Sequence, residues 1–142
     1  MVADALIVRA YEAADAESVT ALWREIFVGD PPWNEPGLVI RRKLAVQPEL
    51  FLVGELGGAV IATVLAGFDG VRGWIHHLAV VPAHRRRGFG RLMMAEAERR
   101  LRRLGCPKVN LQVRASNAAV VEFYRRLDYQ IEERVSFGKR LE

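Results

Sequence analysis

Val81-Pro82-Ala83-His84-Arg85-Arg86-Arg87-Gly88-Phe89-Gly90-Arg91 ends an apolar run, Ile75 to Val81, that reads as a buried strand, and leads into Leu92 to Leu104, which reads as an amphipathic helix. Two glycines therefore fall where a strand turns into a helix, with positive charge on both sides. A helix start offers backbone N–H groups without intrahelical partners and the positive end of the dipole, so this turn suits a phosphate. A Cβ at position 88 or 90 would keep the backbone from closing around phosphate oxygens. Two other phosphate loops are excluded. No Gly-Lys-Ser/Thr is present, and Met93 stands where a dinucleotide fingerprint needs its third glycine.

Outward from this turn, Val109 to Val113 reads as a strand, Asn117 to Leu127 as a helix and Tyr129 to Phe137 as a last strand. On the N-terminal side, Ala5 to Ala10 opens as a short strand. Asp15 is placed to cap a helix in which Val19, Leu22, Trp23, Ile26 and Phe27 share a face. Gly29 to Gly37, with three prolines, breaks that helix, and Leu38 to Val46 forms a second one that ends before Pro48. Leu50 to Leu56 and Ala59 to Phe68 are joined by Gly57-Gly58, a hairpin signal, and Asp69 to Gly73 turns the chain into the strand Trp74 to Val81. The helix after the glycine turn is expected to bury Met94, Ala97, Leu101 and Leu104. The unit Trp74 to Val113 is strand, helix, strand, so its two strands should run parallel, with the glycine turn at the carboxyl end of the first.

The whole chain of 142 residues, 51% hydrophobic, fits one domain with one core, residues 1–142. No run approaches the ~20 apolar residues of a membrane span, and the first residues lack the basic-then-apolar order of a signal peptide. The single cysteine, Cys106, cannot form an internal disulfide and reads as a packing residue in a Gly-Cys-Pro turn. The expected location is the cytoplasm. A net charge of +4 suits an anionic partner. Nucleic acid is disfavoured, because the basic run lacks interleaved aromatics and no zinc-ligand or helix-turn-helix spacing appears. Three histidines and one cysteine at these spacings suggest no metal site.

The pattern Arg85-x-x-Gly88-x-Gly90, the strand end Leu78-Ala79-Val80-Val81-Pro82 and the downstream Asn117…Phe123-Tyr124…Tyr129 resemble the GNAT superfamily of acetyl-CoA-dependent N-acetyltransferases. Pro32-Trp33-Asn34, Asp69-Gly70-Val71-Arg72-Gly73, Gly105-Cys106-Pro107-Lys108 and Gly138-Lys139-Arg140-Leu141 are similar to its small bacterial YpeA-type subgroup. The resemblance implies an α/β (α+β) fold: a mixed, mostly antiparallel sheet splayed between two central parallel strands and flanked by about four helices. It implies acetyl-CoA as cosubstrate, held by the backbone of Leu78, Ala79 and Val80 and by Arg85, Arg86, Arg87, Gly88, Phe89, Gly90 and Arg91. It also implies that Asn117 reaches the coenzyme as well as capping a helix, and that Trp33 and Asn34 belong to the acceptor pocket.

Acetyl transfer to an amine requires a neutral amine, a donor for the developing oxyanion and an acid for the leaving thiolate. Tyr124 occupies the position of the family's general acid, and a phenol with a pKa of ~10 stays protonated at neutral pH. The other reading of Tyr124 is packing with Val120 and Leu127. Ribosomal-protein N-terminal acetyltransferases carry glutamate where Gln112 stands, and glutamine takes no proton. His76, expected to share a strand face with Leu78, is the candidate base, as arylalkylamine acetyltransferases have a histidine at the matching position; deprotonation relayed by water is the alternative. His77 is expected to face the other side. Asp30, Glu35 and Glu25 would attract a cationic amine, while Trp33 also reads as a core lid. Asp128 stands where relatives have a left-handed glycine at a helix end, and aspartate tolerates that conformation. The acceptor stays open between protein and small-molecule amines, and the strand at Tyr129 to Phe137 offers an edge for a homodimer. The runner-up function is an acyl-CoA-binding or sensing protein of the same fold with little catalysis.

Overall fold

The computed structural model describes residues 5–142. They form two compact units, one running to Leu111 and the other from Gln112.

Five strands make the sheet of the first unit in the order β1-β2-β3-β4-β5: Ile7–Ala10, Phe51–Leu56, Ala59–Phe68, Gly73–Val80 and Val109–Leu111. The first four pair antiparallel, and β4 and β5 pair parallel. Helices α1 (Ala16–Ile26) and α2 (Pro36–Leu44) connect β1 to β2, and α3 (Phe89–Arg103) carries the crossover from β4 to β5. Gly57 and Gly58 both adopt left-handed conformations, the requirement of the two-residue hairpin joining β2 to β3.

Each face of the sheet has its own helical cover. Val19, Leu22 and Trp23 of α1 and Ile40 of α2 pack with Phe51, Val53, Leu65 and Ala79. Phe51 is stacked between Tyr11 and Trp23, at centroid distances of 4.3 and 5.8 Å. The other face receives α3, through buried Met93, Met94, Ala97 and Leu101. Leu104, expected in that row, is the exposed residue that ends α3, because the helix stops one position before it. Cys106 has the packing role expected of it. A Cβ on Gly73 would come within 2.8 Å of its sulfur, and the thiol donates to the Lys108 carbonyl at 3.3 Å.

Two local expectations change. Asp15 makes no side-chain cap on α1. It closes the preceding 3-10 turn by accepting from the Glu12 N–H at 2.8 Å, and Arg9 clamps it against Glu55. Helix α2 begins two residues earlier than predicted, since Pro36 suits a first helical turn and the Glu35 carboxylate accepts from the Leu38 N–H at 3.2 Å. Beyond α2, Gln47 exchanges two hydrogen bonds with the backbone of Phe68 at 2.8 and 3.1 Å and so anchors the end of β3.

The second unit holds one helix, α4 (Ala118–Arg126). Asn117 caps it, its side-chain oxygen accepting from the Val120 N–H at 3.3 Å. At its far end the Tyr129 N–H reaches the Tyr124 carbonyl and the Asp128 N–H the Arg125 carbonyl, both at 3.0 Å. This is the Schellman pattern, and Asp128 takes the left-handed position at φ 71°. The strand expected over Tyr129 to Phe137 does not form; the described residues from Tyr129 onward carry no regular structure. Apolar alternation at Ile131, Val135 and Phe137 is interrupted by Glu132-Glu133-Arg134, no ladder pairs with the segment, and those apolar side chains are exposed. The strand edge that would have supported a homodimer goes with it.

Candidate active site

Strand β4 builds the site. It pairs with β5 only through Gly73, Trp74 and Ile75, whose partners are Val109, Asn110 and Leu111. From His76 to Val80 the ladder on that side has ended, so the strand carries an open edge toward its carboxyl end. Val81 donates to the Ile61 carbonyl at 2.8 Å, and inward and outward pairs alternate along an antiparallel ladder. Ala79, opposite Thr63, is therefore bonded inward, and Val80 turns its amide and carbonyl to the open edge. Arg85 reads that edge directly, its Nε donating to the Val80 carbonyl at 3.3 Å.

The glycine turn follows at once. Arg86 (φ 62°) and Gly88 (φ 83°) are both left-handed, and Gly88 is the residue before the first turn of α3. The first hydrogen bond of α3 runs from the Leu92 N–H to the Gly88 carbonyl, so the preceding amides lie outside the helix's own ladder. Of the two glycines, Gly88 is the one whose backbone demands glycine, since a β-carbon is strained at that φ even though the space around it is open. Arg87 lies over the Phe89 ring at 4.9 Å and contacts the His84 ring at 3.1 Å. Farther along α3, Glu96 binds both Arg99 and Arg100, and Arg100 also reaches the Glu49 carbonyl at 2.9 Å. Glu96 thus offsets two of these arginines, while Arg99, Arg102 and Arg103 stay exposed.

A β-bulge separates the two histidines from the pattern expected of them. Leu65 opposes His76 and Thr63 opposes Ala79, so Val64 alone faces both His77 and Leu78. His76, opposite Leu65, thus lies on the face covered by α1 and α2. Ala79 lies on that same face, and Leu78 is turned away from it. The expected sharing of a face by His76 and Leu78 fails because the extra residue breaks the two-residue period. His77 adopts φ 51° and swings onto the α1 face as well, against Trp23 at 4.7 Å and Phe27 at 4.9 Å between ring centroids. Buried Thr63 pins the bulge, accepting from Trp23 Nε1 at 2.8 Å and donating to the His77 carbonyl at 2.9 Å.

Burial lowers both imidazoles. His77 falls to about 4 through desolvation, with a smaller push from His76 and an opposing pull from Asp30. His76, whose side chain retains solvent access, is lowered by its crowded surroundings and by the Lys43 ammonium. Both are neutral at pH 7.

His77 forms one wall of an open cleft of about 350 Å³, with Trp23 on α1, Phe27 at its end and Asp30, Asn34 and Glu35 on the connection to α2. Asn34 was expected there. Trp33 does not line the cleft; it is exposed, and its carbonyl accepts from Arg42 at 2.9 Å. Of the carboxylates expected to attract an amine, Asp30 and Glu35 line the cleft and Glu25 does not. The sequence carried no sign of His77's place here, because the bulge that turns it is invisible to alternation.

In the second unit, Tyr124 is buried and stands edge-on to Phe123 and Tyr129, at centroid distances of 5.0 and 5.6 Å. Burial pushes its phenol up to about 12. Gln112 is occupied by Ser136, to whose hydroxyl it donates at 2.7 Å. Among the described residues no cluster of side chains suits a metal ion, and no helix is long and apolar enough to cross a membrane.

An open-edged strand running into a left-handed turn at a helix start, on a mixed sheet with one parallel pair, defines the acyltransferase class. Residues 16–129 match the Acetyltransferase (GNAT) family, and the chain belongs to it. It is 42% identical over 134 residues to an acetyltransferase of Yersinia enterocolitica, covering 94% of each chain. Among solved structures it is similar to Ard1 from Thermoplasma volcanium, with a TM-score of 0.81 at 23% identity, covering 91% of this chain and 85% of that one. It is also similar to the aminoglycoside N-acetyltransferase AAC(6')-Iy bound to a bisubstrate analogue of CoA, with a TM-score of 0.80 at 17% identity, covering 96% and 98%. These two structures share the fold.

Proposed function

We propose that this acetyltransferase moves the acetyl group of acetyl-CoA to an amine by direct attack within a ternary complex. The observation that carries the reading is the continuity of β4: its open edge from His76 to Val80 runs straight into the left-handed turn at Arg86 and Gly88. In this reading the pantetheine amides pair with the β4 edge at Leu78 to Val80, as a strand would. The pyrophosphate lies on the turn from Arg85 to Arg91, where backbone N–H groups and the α3 dipole favour negative charge. Asn117 adds a contact to the coenzyme. The presence of CoA ligands in the AAC(6')-Iy structures supports the assignment.

The thioester carbonyl is polarised by β4 amides, and the attacking amine forms the new C–N bond as the C–S bond breaks. Tyr124 donates to the departing thiolate. Its phenol is protonated at neutral pH, the state this donor role requires. The amine's surplus proton passes through water to His76, which is neutral and solvent-accessible. The family match from residue 16 to residue 129 spans both units, which supports one acetyltransferase domain. A cytoplasmic location belongs to the same reading, supported by the single free cysteine.

Calorimetric titration with acetyl-CoA, run beside thiol release with an amine panel, tests the reading. Gly88→Glu is expected to abolish coenzyme binding in a still-folded protein, because it strains the turn and puts a carboxylate where the phosphate belongs. Tyr124→Phe is expected to keep binding and lose most of the turnover. Undiminished turnover in Tyr124→Phe removes the acid, and unchanged binding in Gly88→Glu removes the coenzyme turn.

A further inference from the structure

The cleft beside the β4 bulge has a chemical character that narrows the acceptor. Its aromatic wall is Trp23, Phe27 and His77. Apart from Arg24, which Glu35 pairs, its polar groups accept hydrogen bonds more than they donate. Pro31, Pro32 and Pro36 have no N–H. The amides of Asp30, Asn34 and Glu35 are engaged by the carbonyls of Phe27, Pro31 and Pro32 in the connection's own turns. Of the two carboxylates, Glu35 is committed, capping α2 and pairing with Arg24 at 3.4 Å, which also offsets that cation. Asp30 is left with one long contact, from the Asn34 amide at 3.4 Å, and its charge is felt at His77.

We propose that this cleft takes a compact primary amine in its ammonium form, with Asp30 receiving the charge and the imidazole of His77 accepting one of its N–H bonds. The proposal rests on the acetyltransferase reading for its purpose and on the cleft alone for its chemistry. A carboxylate-bearing ligand finds Asp30 opposed to it and few donors. A peptide backbone, which needs N–H groups to meet its carbonyls, finds prolines. The aromatic wall covers an apolar body and leaves the ammonium for Asp30, and the half-buried ring of Phe27 adds attraction for a cation. His77 orients the amine without removing its proton, because an imidazole held near 4 does not keep a second proton at pH 7. The ammonium gives that proton to water at the open mouth of the cleft and attacks as the neutral amine.

The test is titration of the full chain, with and without coenzyme A, by three probes of one shape: benzylamine, benzyl alcohol and phenylacetate. Benzylamine is expected to bind about tenfold more tightly than either of the others. Asp30→Asn is expected to remove that preference while leaving benzyl alcohol binding and the thermal midpoint unchanged. Equal binding of the alcohol or the acid, no binding of benzylamine, or a preference that survives Asp30→Asn overturns the proposal. Failure of acetyl-CoA to bind, with the benzylamine preference intact, instead refutes the acetyltransferase reading and leaves the cleft's chemistry standing.

Discussion

Thr63 sits fully buried in the middle of β3 and holds two groups that otherwise lack partners at that spot, the Trp23 indole N–H and the His77 carbonyl. Its single hydroxyl accepts from one and donates to the other, so one residue ties the core of α1 to the bulge that forms the cleft wall. Thr63→Val preserves the shape and leaves both groups buried and unsatisfied, and the expected cost is about 2 kcal/mol. Thr63→Ser keeps the hydroxyl and recovers most of it. Urea unfolding measures both, and a Val variant as stable as the Ser variant contradicts the bridging role. In the sequence, Thr63 was legible only as one polar residue in an apolar run, and His77 only as half of a histidine pair. Alternation placed His76 on the face of Leu78, and the structure puts it on the opposite one, because a bulge depends on how two strands register, which neither strand's sequence states alone.

Elements were legible where the chain carries local instructions. Gly57-Gly58 fixed the hairpin, the glycine turn fixed the start of α3, and Asn117 fixed the start of α4, each because one residue answers a backbone requirement. Tyr129 to Phe137 failed because alternation is only permission to be a strand; the ladder partner has to come from elsewhere. The end of α4 gives an element-scale prediction. Asp128 occupies a left-handed position at φ 71° in a complete Schellman pattern, a conformation that glycine adopts without steric cost. Asp128→Gly is expected to stabilise the end of the helix by about 1 kcal/mol, and Asp128→Ala to weaken it. Hydrogen exchange at the Asp128 and Tyr129 amides reports the change, and slower exchange in the Ala variant contradicts the assignment.

For the molecule as a whole, the glycine turn and the strand leading into it were enough to read the fold and to propose where a coenzyme would lie. The cleft proposed for the acceptor was not readable, since it is assembled from α1, the proline-rich connection and the bulge in β4. Building that wall leaves a thermodynamic mark on the entire protein. His77 titrates near 6.5 when unfolded and near 4 when folded, lowered first by burial. Above pH 6.5 it is neutral in both states and contributes no pH dependence. As pH falls from 6.5 to 4, the unfolded chain takes a proton that the folded chain refuses, so stability declines, by about 3 kcal/mol over the window. His76, lowered in the same direction, adds to the decline. Asp15 acts later and in the ordinary carboxylate sense. Arg9 holds its pKa below 3.8, so its contribution is present above that value and is lost as pH falls further. The urea midpoint is therefore expected to drop between pH 6.5 and 4, with histidine setting the upper part of the fall and carboxylates joining below about pH 5. His77→Asn, which keeps a residue tolerant of the left-handed backbone, should flatten most of that slope. An unchanged slope in His77→Asn would mean that the imidazole is not the buried group that sets the acid limit of the fold.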